Sequence, residues 1–342
     1  MALWFLKSTT AFSKLPPSSK FPLEKKQNLE QGNKENNSLH HRREFIKTTT
    51  LLVLFPLASI TSSYAIRNGI IQKLSSSLPL LPPPQYPPEH EQRVSRMIRE
   101  TWMQSAAAIP QKRKQSSFRV LEVGFGSDVR LLRRGLYDSA IQHLAQSQQF
   151  ESPIHLSWTG IDLLPTQNDR AGHDAAEYLK KEVTAAAKST PTIPSSEASL
   201  VLQDVQFVQG DIVNDTQEWE EGSFDVILCC FTLCSVQDPQ LAVRAIKRLL
   251  RPSGGCFGYV EHVAVRSDEH RAFLSWQQQA LDPLQQFLAD NCHLHRDTES
   301  TLNEGFSNGQ HSMAKLLYHE RFFVDSMWPI SCQCCGVLQL NT

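Results

Sequence analysis

The residues best suited to chemistry stand just past apolar runs that read as strands. In Arg119-Val-Leu-Glu-Val-Gly-Phe-Gly-Ser-Asp128, a short buried strand, Val120 to Val123, runs into a Gly-x-Gly turn and then a helix. Gly124 and Gly126 allow backbone angles and a close approach that a Cβ would forbid. A ligand can therefore sit against the main chain at the strand end, where open α/β sheets bind their ligands. Glu122 stands two residues before the first glycine. A carboxylate there repels a pyrophosphate but suits a cofactor that carries amine, amide and hydroxyl donors. Asp162 ends the Ile154 to Ile161 run and is placed to accept from both hydroxyls of a ribose, the role an acid plays after the second strand of a dinucleotide fold. Its competing reading is the N-cap of the helix that follows by Ala171. Asp211, at the exit of Val205-Gln-Phe-Val-Gln-Gly, can accept from an adenine amino group, with the Ile212 main chain nearby.

These positions need an alternating scaffold. Glu91 to Ala107 carries Val94, Met97, Ile98, Trp102 and Met103 at helical spacing, an amphipathic leading helix. Asp128 to Ala145 reads as a helix with Leu131, Leu132, Leu136, Ile141 and Leu144 on its inner side, and Asp174 to Lys188 as another. Ser189 to Ser199 is a surface loop. Gly222 to Phe231 contains a fourth strand apolar enough to be central. A helix from Leu241 to Leu250 stops at Arg251-Pro-Ser-Gly-Gly255, and Cys256 to Val263 is a fifth strand. A helix is expected from Asp268 to Asp290 and a last strand from Gly336 to Leu340. Strands alternating with helices imply a mostly parallel sheet covered on both faces.

Composition narrows the class. Of 342 residues, 40% are hydrophobic and 20% charged, which is the balance of a soluble globular protein. A net charge of −1 and the lack of a basic stripe argue against a nucleic-acid binder. All eight cysteines lie at or beyond Cys229, without the paired Cys-x-x-Cys spacing of a structural zinc, so no metal site is expected. Cys229 and Cys230 read as small buried hydrophobes. Cys332-x-Cys334-Cys335 is placed ahead of the last strand, where an oxidising compartment would permit a disulfide.

The first ninety residues read as an address. Residues 1–65 combine a transit-like start, basic and rich in Ser and Thr, with His41-Arg-Arg-Glu-Phe-Ile-Lys47 and an uncharged stretch from Thr48. Arg42-Arg43, Phe45 and Lys47 resemble a twin-arginine export signal, and Ser63-Tyr64-Ala65 offers a cleavage site. The pair of signals resembles the two-part address of plastid thylakoid-lumen proteins; a membrane anchor over residues 48–66 is the alternative. Residues 66–88 form a Pro-rich linker, and 89–342 the folded domain.

Glu122-x-Gly-x-Gly, Asp162, Gly210-Asp211, Phe224-Asp225 and Leu250-Arg-Pro-Ser-Gly-Gly255 fall in the order and contexts of one family. From residue 118 onward the chain resembles the class I S-adenosylmethionine-dependent methyltransferases. The resemblance implies an α/β, Rossmann-like class I methyltransferase fold with a mostly parallel seven-stranded sheet, order 3-2-1-4-5-7-6, and an antiparallel last strand. It also implies S-adenosyl-L-methionine as cofactor, bound by Glu122, Gly124, Gly126, Asp162, Asp211 and Ile212. Within that class, Thr232-Leu-Cys-Ser-Val236, Tyr259-Val-Glu-His-Val263, Trp276-Gln-Gln-Gln-Ala-Leu-Asp-Pro283 and Asp290-Asn-Cys-His-Leu294 resemble the membrane-associated thiol S-methyltransferases of the methyltransferase-like 7 family. One position departs: Asp128 stands where the family has a third small residue, suited to cap a helix but placed to repel or bind the cofactor's methionine end.

Methyl transfer from a sulfonium is an in-line displacement on an activated donor, so the protein chiefly aligns the acceptor and excludes water. A thiol acceptor attacks as thiolate, which a nearby base or a positive field favours. His262, leaving the fifth strand beside the expected methyl site, is the catalytic candidate, with a satisfied structural histidine as the competing reading. Asp282 reads rather as a cap at a helix break. Trp276, Leu281, Leu284, Phe287 and Leu288 offer a cover for an apolar acceptor or a plain core face. The expectation is methyl transfer to a small, apolar molecule, a thiol first. A membrane quinone or phenol methylated on carbon or oxygen, and an inactive cofactor-binding regulator, are the alternatives. The expected partner is a small molecule, with the N-terminal segment offering a route to membrane association.

Overall fold

A computed structural model describes residues 86–109, 117–126, 128–147, 153–163, 169–189, 200–307 and 314–341. The leader, the twin-arginine-like segment and nearly all of the Pro-rich linker lie outside the described residues, as does the loop over 190–199. The chain divides into two units, Met1–Pro84 with Pro283–Asp290, and Gln85–Asp282 with Asn291–Thr342. Of the first, the described part is Pro283–Asp290, which holds the end of one helix and the Ala289 N–H to Gln285 carbonyl bond at 2.8 Å. Everything below concerns the second.

Its strands, β1 (Ser117–Val123), β2 (Ile154–Asp162), β3 (Leu200–Gln209), β4 (Val226–Cys230), β5 (Cys256–His262), β6 (Ala314–Phe323) and β7 (Cys332–Leu340), form one sheet in the order β3-β2-β1-β4-β5-β7-β6. β1 to β5 pair in parallel. β7 runs antiparallel to both β5 and β6. This is the expected Rossmann-like topology. The fully buried β5 is the sheet's apolar spine, as a strand covered on both faces must be. Because β1, β4 and β5 all point the same way, their C-terminal ends meet at one edge, and every candidate residue from Glu122 to His262 stands there.

The helices are α1 (Pro88–Ala107), α2 (Arg130–Arg133), α3 (Asp138–Ala145), α4 (Asp169–Ser189), α5 (Pro239–Leu249), α6 (Ala272–Leu288) and α7 (Thr298–Phe306). α1 buries Val94, Met97, Ile98 and Trp102, the stripe its spacing predicted, but leaves Met103 43% exposed. α5 starts as a helix should, with the Asp238 carboxylate accepting from the Leu241 N–H at 3.0 Å and proline in its first turn. It ends before Arg251-Pro252, because proline cannot continue the ladder.

Several expectations need correction. The single helix over Asp128 to Ala145 is two, α2 and α3, because Gly135 sits at φ +69° between them. A Cβ there would lie 2.8 Å from both Asp138 Oδ2 and Tyr178 Oη, so the break is fixed by packing. The five leucine and isoleucine side chains expected on the inner face are nonetheless all buried. Asp128 does not cap: Val129, in the left-handed region, occupies the N-cap of α2. The helix expected from Asp268 is a 3-10 turn at Ser267–Glu269 followed by α6, which runs through Pro283. Asp282 consequently caps no break; its Oδ1 accepts from the His295 N–H at 3.3 Å. β7 begins at Cys332, so the cysteine cluster lies inside the strand and not ahead of it, and no disulfide joins the eight cysteines. Among the described residues no helix is long and apolar enough to cross a membrane.

Candidate functional site

The turn after β1 is held open by its glycines. Gly124 adopts φ +75° and Gly126 φ +73°. A Cβ on Gly124 would lie 2.0 Å from Thr232 Oγ1, the hydroxyl that itself donates to the Val123 carbonyl at 3.0 Å and ties the β4 exit to β1. The Gly124 N–H reaches the Ile161 carbonyl, and the Gly126 N–H reaches Asp162 Oδ2, both at 2.8 Å. Asp162 therefore bridges the ends of β1 and β2 and sets the shape of the glycine turn. No helix N-cap bond to it is needed to explain its place.

Glu122 is 2% exposed, and the Tyr137 hydroxyl donates to its Oε2 at 2.5 Å. The Trp158 indole N–H donates in turn to that hydroxyl at 3.3 Å. Burial pushes the Glu122 carboxyl up to about 7, the Tyr137 bond opposing and Asp162 and Asp128 adding to the rise. Asp128 is neutralised locally: Arg130 Nε lies 3.0 Å from its Oδ2, and the same guanidinium stacks 4.6 Å above the Tyr86 ring. The departure from the family pattern at Asp128 thus comes with a cation of its own. Asp211 turns its carboxylate to the main chain, Oδ1 accepting from Val213 N–H at 2.6 Å and Asn214 N–H at 3.3 Å. Ile212 is buried in the core cluster, and its carbonyl accepts from the Thr216 hydroxyl at 2.6 Å.

The donor set fits a cofactor of the expected kind. Asp162 places a carboxylate on the Gly126 N–H at 2.8 Å, beside a glycine turn that offers main chain without a side-chain wall, while Asp128 is paired with Arg130 and Asp211 with main-chain amides. Hydroxyl and ammonium donors suit that arrangement, and a pyrophosphate does not.

The exits of β4 and β5 make a second, drier half. His262 ends β5 at 1% exposure, its Nε2 2.9 Å from Cys292 Sγ and its Nδ1 without a hydrogen-bond partner. Cys234 Sγ lies 4.0 Å from Cys292 Sγ. Next to His262 the buried Glu261 carboxylate accepts from the N–H groups of Thr232 and Leu233, both at 3.0 Å, and of Cys234 at 3.3 Å, which fixes the β4 exit loop. The segment after β5 is pinned by Gln278 of α6, which accepts from Val265 N–H at 2.9 Å and donates to the Val263 carbonyl at 3.1 Å. On the other side Phe231, held at φ +54°, has its ring 6.0 Å from His262 and stacked 5.0 Å from His90. A bulky residue in that region is strained, and such strain collects at functional sites. His90 accepts no charge at neutral pH: burial draws its imidazole down to about 4, although Gln333 bonds its Nδ1. Trp276 is 55% exposed and stacks on exposed Phe273 at 5.7 Å, so it gives no buried cover. Leu284, Phe287 and Leu288 belong to the other unit.

The structure therefore gathers Glu122, Gly124, Gly126, Asp162 and His262 at one sheet edge. Tyr86, His90, Phe231, Cys234 and Cys292 were not foreseen. Phe231 had no sequence signal, because a left-handed φ on a phenylalanine is invisible in composition. Cys234 and Cys292 were visible within the family-like segments, but their approach to His262 depends on three separated stretches of chain.

Among known proteins, residues 154–258 match the family model of a methyltransferase domain. Two curated relatives are similar over shorter stretches. An 82-residue stretch is 42% identical to thiol S-methyltransferase TMT1A of Homo sapiens, covering 24% of this chain and 32% of that protein. A 97-residue stretch is 36% identical to human thiol S-methyltransferase TMT1B, covering 28% and 38%. The chain thus spans about a third of the length of the curated relatives it matches. The crystal structure of the YcgJ protein of Bacillus subtilis aligns with a TM-score of 0.40 at 15% identity, over 74% of this chain and 98% of that one.

Proposed function

We propose that this chain is an S-adenosyl-L-methionine-dependent methyltransferase acting on a small thiol. The observation that carries the reading is the Asp162 carboxylate seated on the Gly126 N–H at 2.8 Å, which joins a ribose-type acceptor to an open glycine turn at the sheet's exit edge. Asp162 and Gly124-x-Gly126 would hold the nucleoside and methionine parts of the cofactor, Asp211 with the Ile212 main chain its base, and buried Glu122 the floor of the turn. S-adenosylmethionine, when bound, supplies a methyl group already activated on a sulfonium.

The chain's own residues do the rest. His90 and Phe231 form an aromatic wall beside His262 and keep water from the acceptor. His262 brings a buried imidazole to the exit of β5, against that wall and beside the place of the sulfur nucleophile. Glu261, through three main-chain amides, holds the β4 exit loop against that group. The thiol preference rests on the similarity of short segments to the human thiol S-methyltransferases.

The test is to incubate the full chain with S-adenosylmethionine and separate panels of small apolar thiols, phenols and quinones, and to identify the methylated atom by mass spectrometry. A thioether product supports the reading. A product methylated on carbon or oxygen removes the thiol assignment, and cofactor binding without turnover on any panel removes the enzyme assignment.

A further inference from the structure

Cys234, His262 and Cys292 come from the β4 exit loop, the end of β5 and the segment after α6, and they converge in the interior. Their exposures are 1%, 1% and 7%, and their ligating atoms all lie within 4.8 Å of one another. Two buried cysteines alone would be unremarkable hydrophobes. An imidazole placed against both is different, since burying its polar edge is costly unless it gains a partner stronger than a thiol.

The scaffold holds the cluster from several sides. The His293 N–H donates to the Cys234 carbonyl at 2.9 Å, and Asn291 Nδ2 to the Ser235 carbonyl at 2.9 Å, which lock the Cys292 segment onto the Cys234 loop. Arg296 Nη1 bridges the carbonyls of Leu233 and Val236 at 2.8 and 2.7 Å. Glu261 grips the same loop through its amides. Main-chain clamps on both cysteine segments are what a preorganised ligand set needs, and what a chance contact of two thiols does not.

We propose that Cys234, His262 Nε2 and Cys292 bind a zinc ion. Zinc takes cysteine sulfur at about 2.3 Å and imidazole nitrogen at about 2.0 Å, so ligands around one ion stand roughly 3.5 Å apart. The separations here, 2.9 Å between His262 Nε2 and Cys292 Sγ and 4.0 Å between the sulfurs, bracket that value. Two thiolates exactly neutralise the dication, so the complex enters the interior uncharged, and the two thiol protons leave to solvent on binding. Three protein ligands leave the fourth tetrahedral position open, the arrangement of catalytic and not of structural zinc. An incoming small thiol fills that position as thiolate and releases its proton. This last step rests on the thiol reading above; the metal site does not. The ion, and not a free imidazole, is then what ionises the acceptor.

The experiment uses the full chain, grown with zinc and purified without chelator. The expected result is one zinc per chain by mass spectrometry of the metals, lowered by about tenfold or more in Cys234→Ser and in Cys292→Ser. Cys335→Ser, whose hydroxyl can keep the bond to Tyr318, should retain it. A second measurement needs no variant: wild-type protein loaded with cobalt should show thiolate-to-cobalt absorption in the near ultraviolet, and a small thiol should shift it. Zinc-free protein that also lacks this absorption overturns the proposal, and so does a Cys234–Cys292 disulfide in the peptide map. Thiol methylation at an unchanged rate by protein stripped of zinc would overturn the ion's role in ionising the acceptor while leaving the proposed function intact. Zinc binding without any methylated thiol would retain the site and remove that function.

Discussion

Glu122 offers the sharpest test of the site's electrostatics. Its carboxyl is 2% exposed and pushed up to about 7 from an ordinary 4.5, first by burial, with Asp162 and Asp128 adding and Tyr137 opposing. Between those two values the folded chain holds a proton that the unfolded chain has released. Stability from this group is therefore complete below about pH 4.5 and is lost as pH rises through about 7. At about 1.4 kcal/mol per pH unit, the loss is about 3 kcal/mol. Glu122→Gln keeps the shape and a partner for the Tyr137 hydroxyl but cannot ionise. Urea unfolding of both proteins at constant ionic strength should therefore show the wild type losing about 3 kcal/mol relative to the variant between about pH 4.5 and about pH 8. Subtracting the variant cancels the histidines that titrate in the same range. A difference constant with pH would refute the argument, because it would mean that Glu122 is ionised throughout or has water beside it. Asp162→Asn should move the transition to lower pH, since one of the charges that raises Glu122 is then gone.

Asp162→Asn retains an acceptor for the Gly126 N–H, whereas Asp162→Ala removes it. S-adenosylmethionine affinity by calorimetry should fall by about tenfold in the first and about a hundredfold in the second, and equal losses would show that the turn bond plays no part. Gly124→Ala forces a Cβ to 2.0 Å from Thr232 Oγ1 at φ +75°, and should cost about 1–3 kcal/mol in thermal unfolding; an unchanged midpoint would mean the turn can relax. Burial tends to raise the Glu299 carboxyl, but His319 and Arg321 more than offset it and bring it to about 2. Its contribution is present above about pH 4.5 and lost as pH falls toward 2, so Glu299→Gln should flatten the acid limb of the stability curve.

What the sequence made legible was whatever depends on local pattern. The apolar runs of β1, β4 and β5, the proline after α5 and the spacing along α1 all report short-range physics, and the sheet followed once the family resemblance supplied strand order. Asp162 and the glycines were legible for the same reason: each sits a fixed number of residues past a strand. The errors have a common cause. Gly135 breaks a helix because Asp138 and Tyr178 fill the space a Cβ would need, and Tyr178 lies on α4, far along the chain. Asp128 pairs with Arg130 because Val129 turns left-handed, a choice made by the fold and not by valine's own preference.

The acceptor half was the least legible, and the reason bears on its chemistry. In the sequence His262 is a candidate for its place at a strand end, with a satisfied structural histidine as the competing reading. The fold instead brings it two sulfurs from segments 28 positions before and 30 after it. The cysteine count had argued against metal because zinc-finger spacing is a property of small domains whose ligands are close in sequence. A sheet edge needs no such spacing, since parallel strands deliver their exits to one place from anywhere in the chain. The same topology that gathers carboxylates around a nucleoside can therefore gather soft ligands around an acceptor. Absence of a local cysteine motif says little about a site built across β4, β5 and the loop after α6.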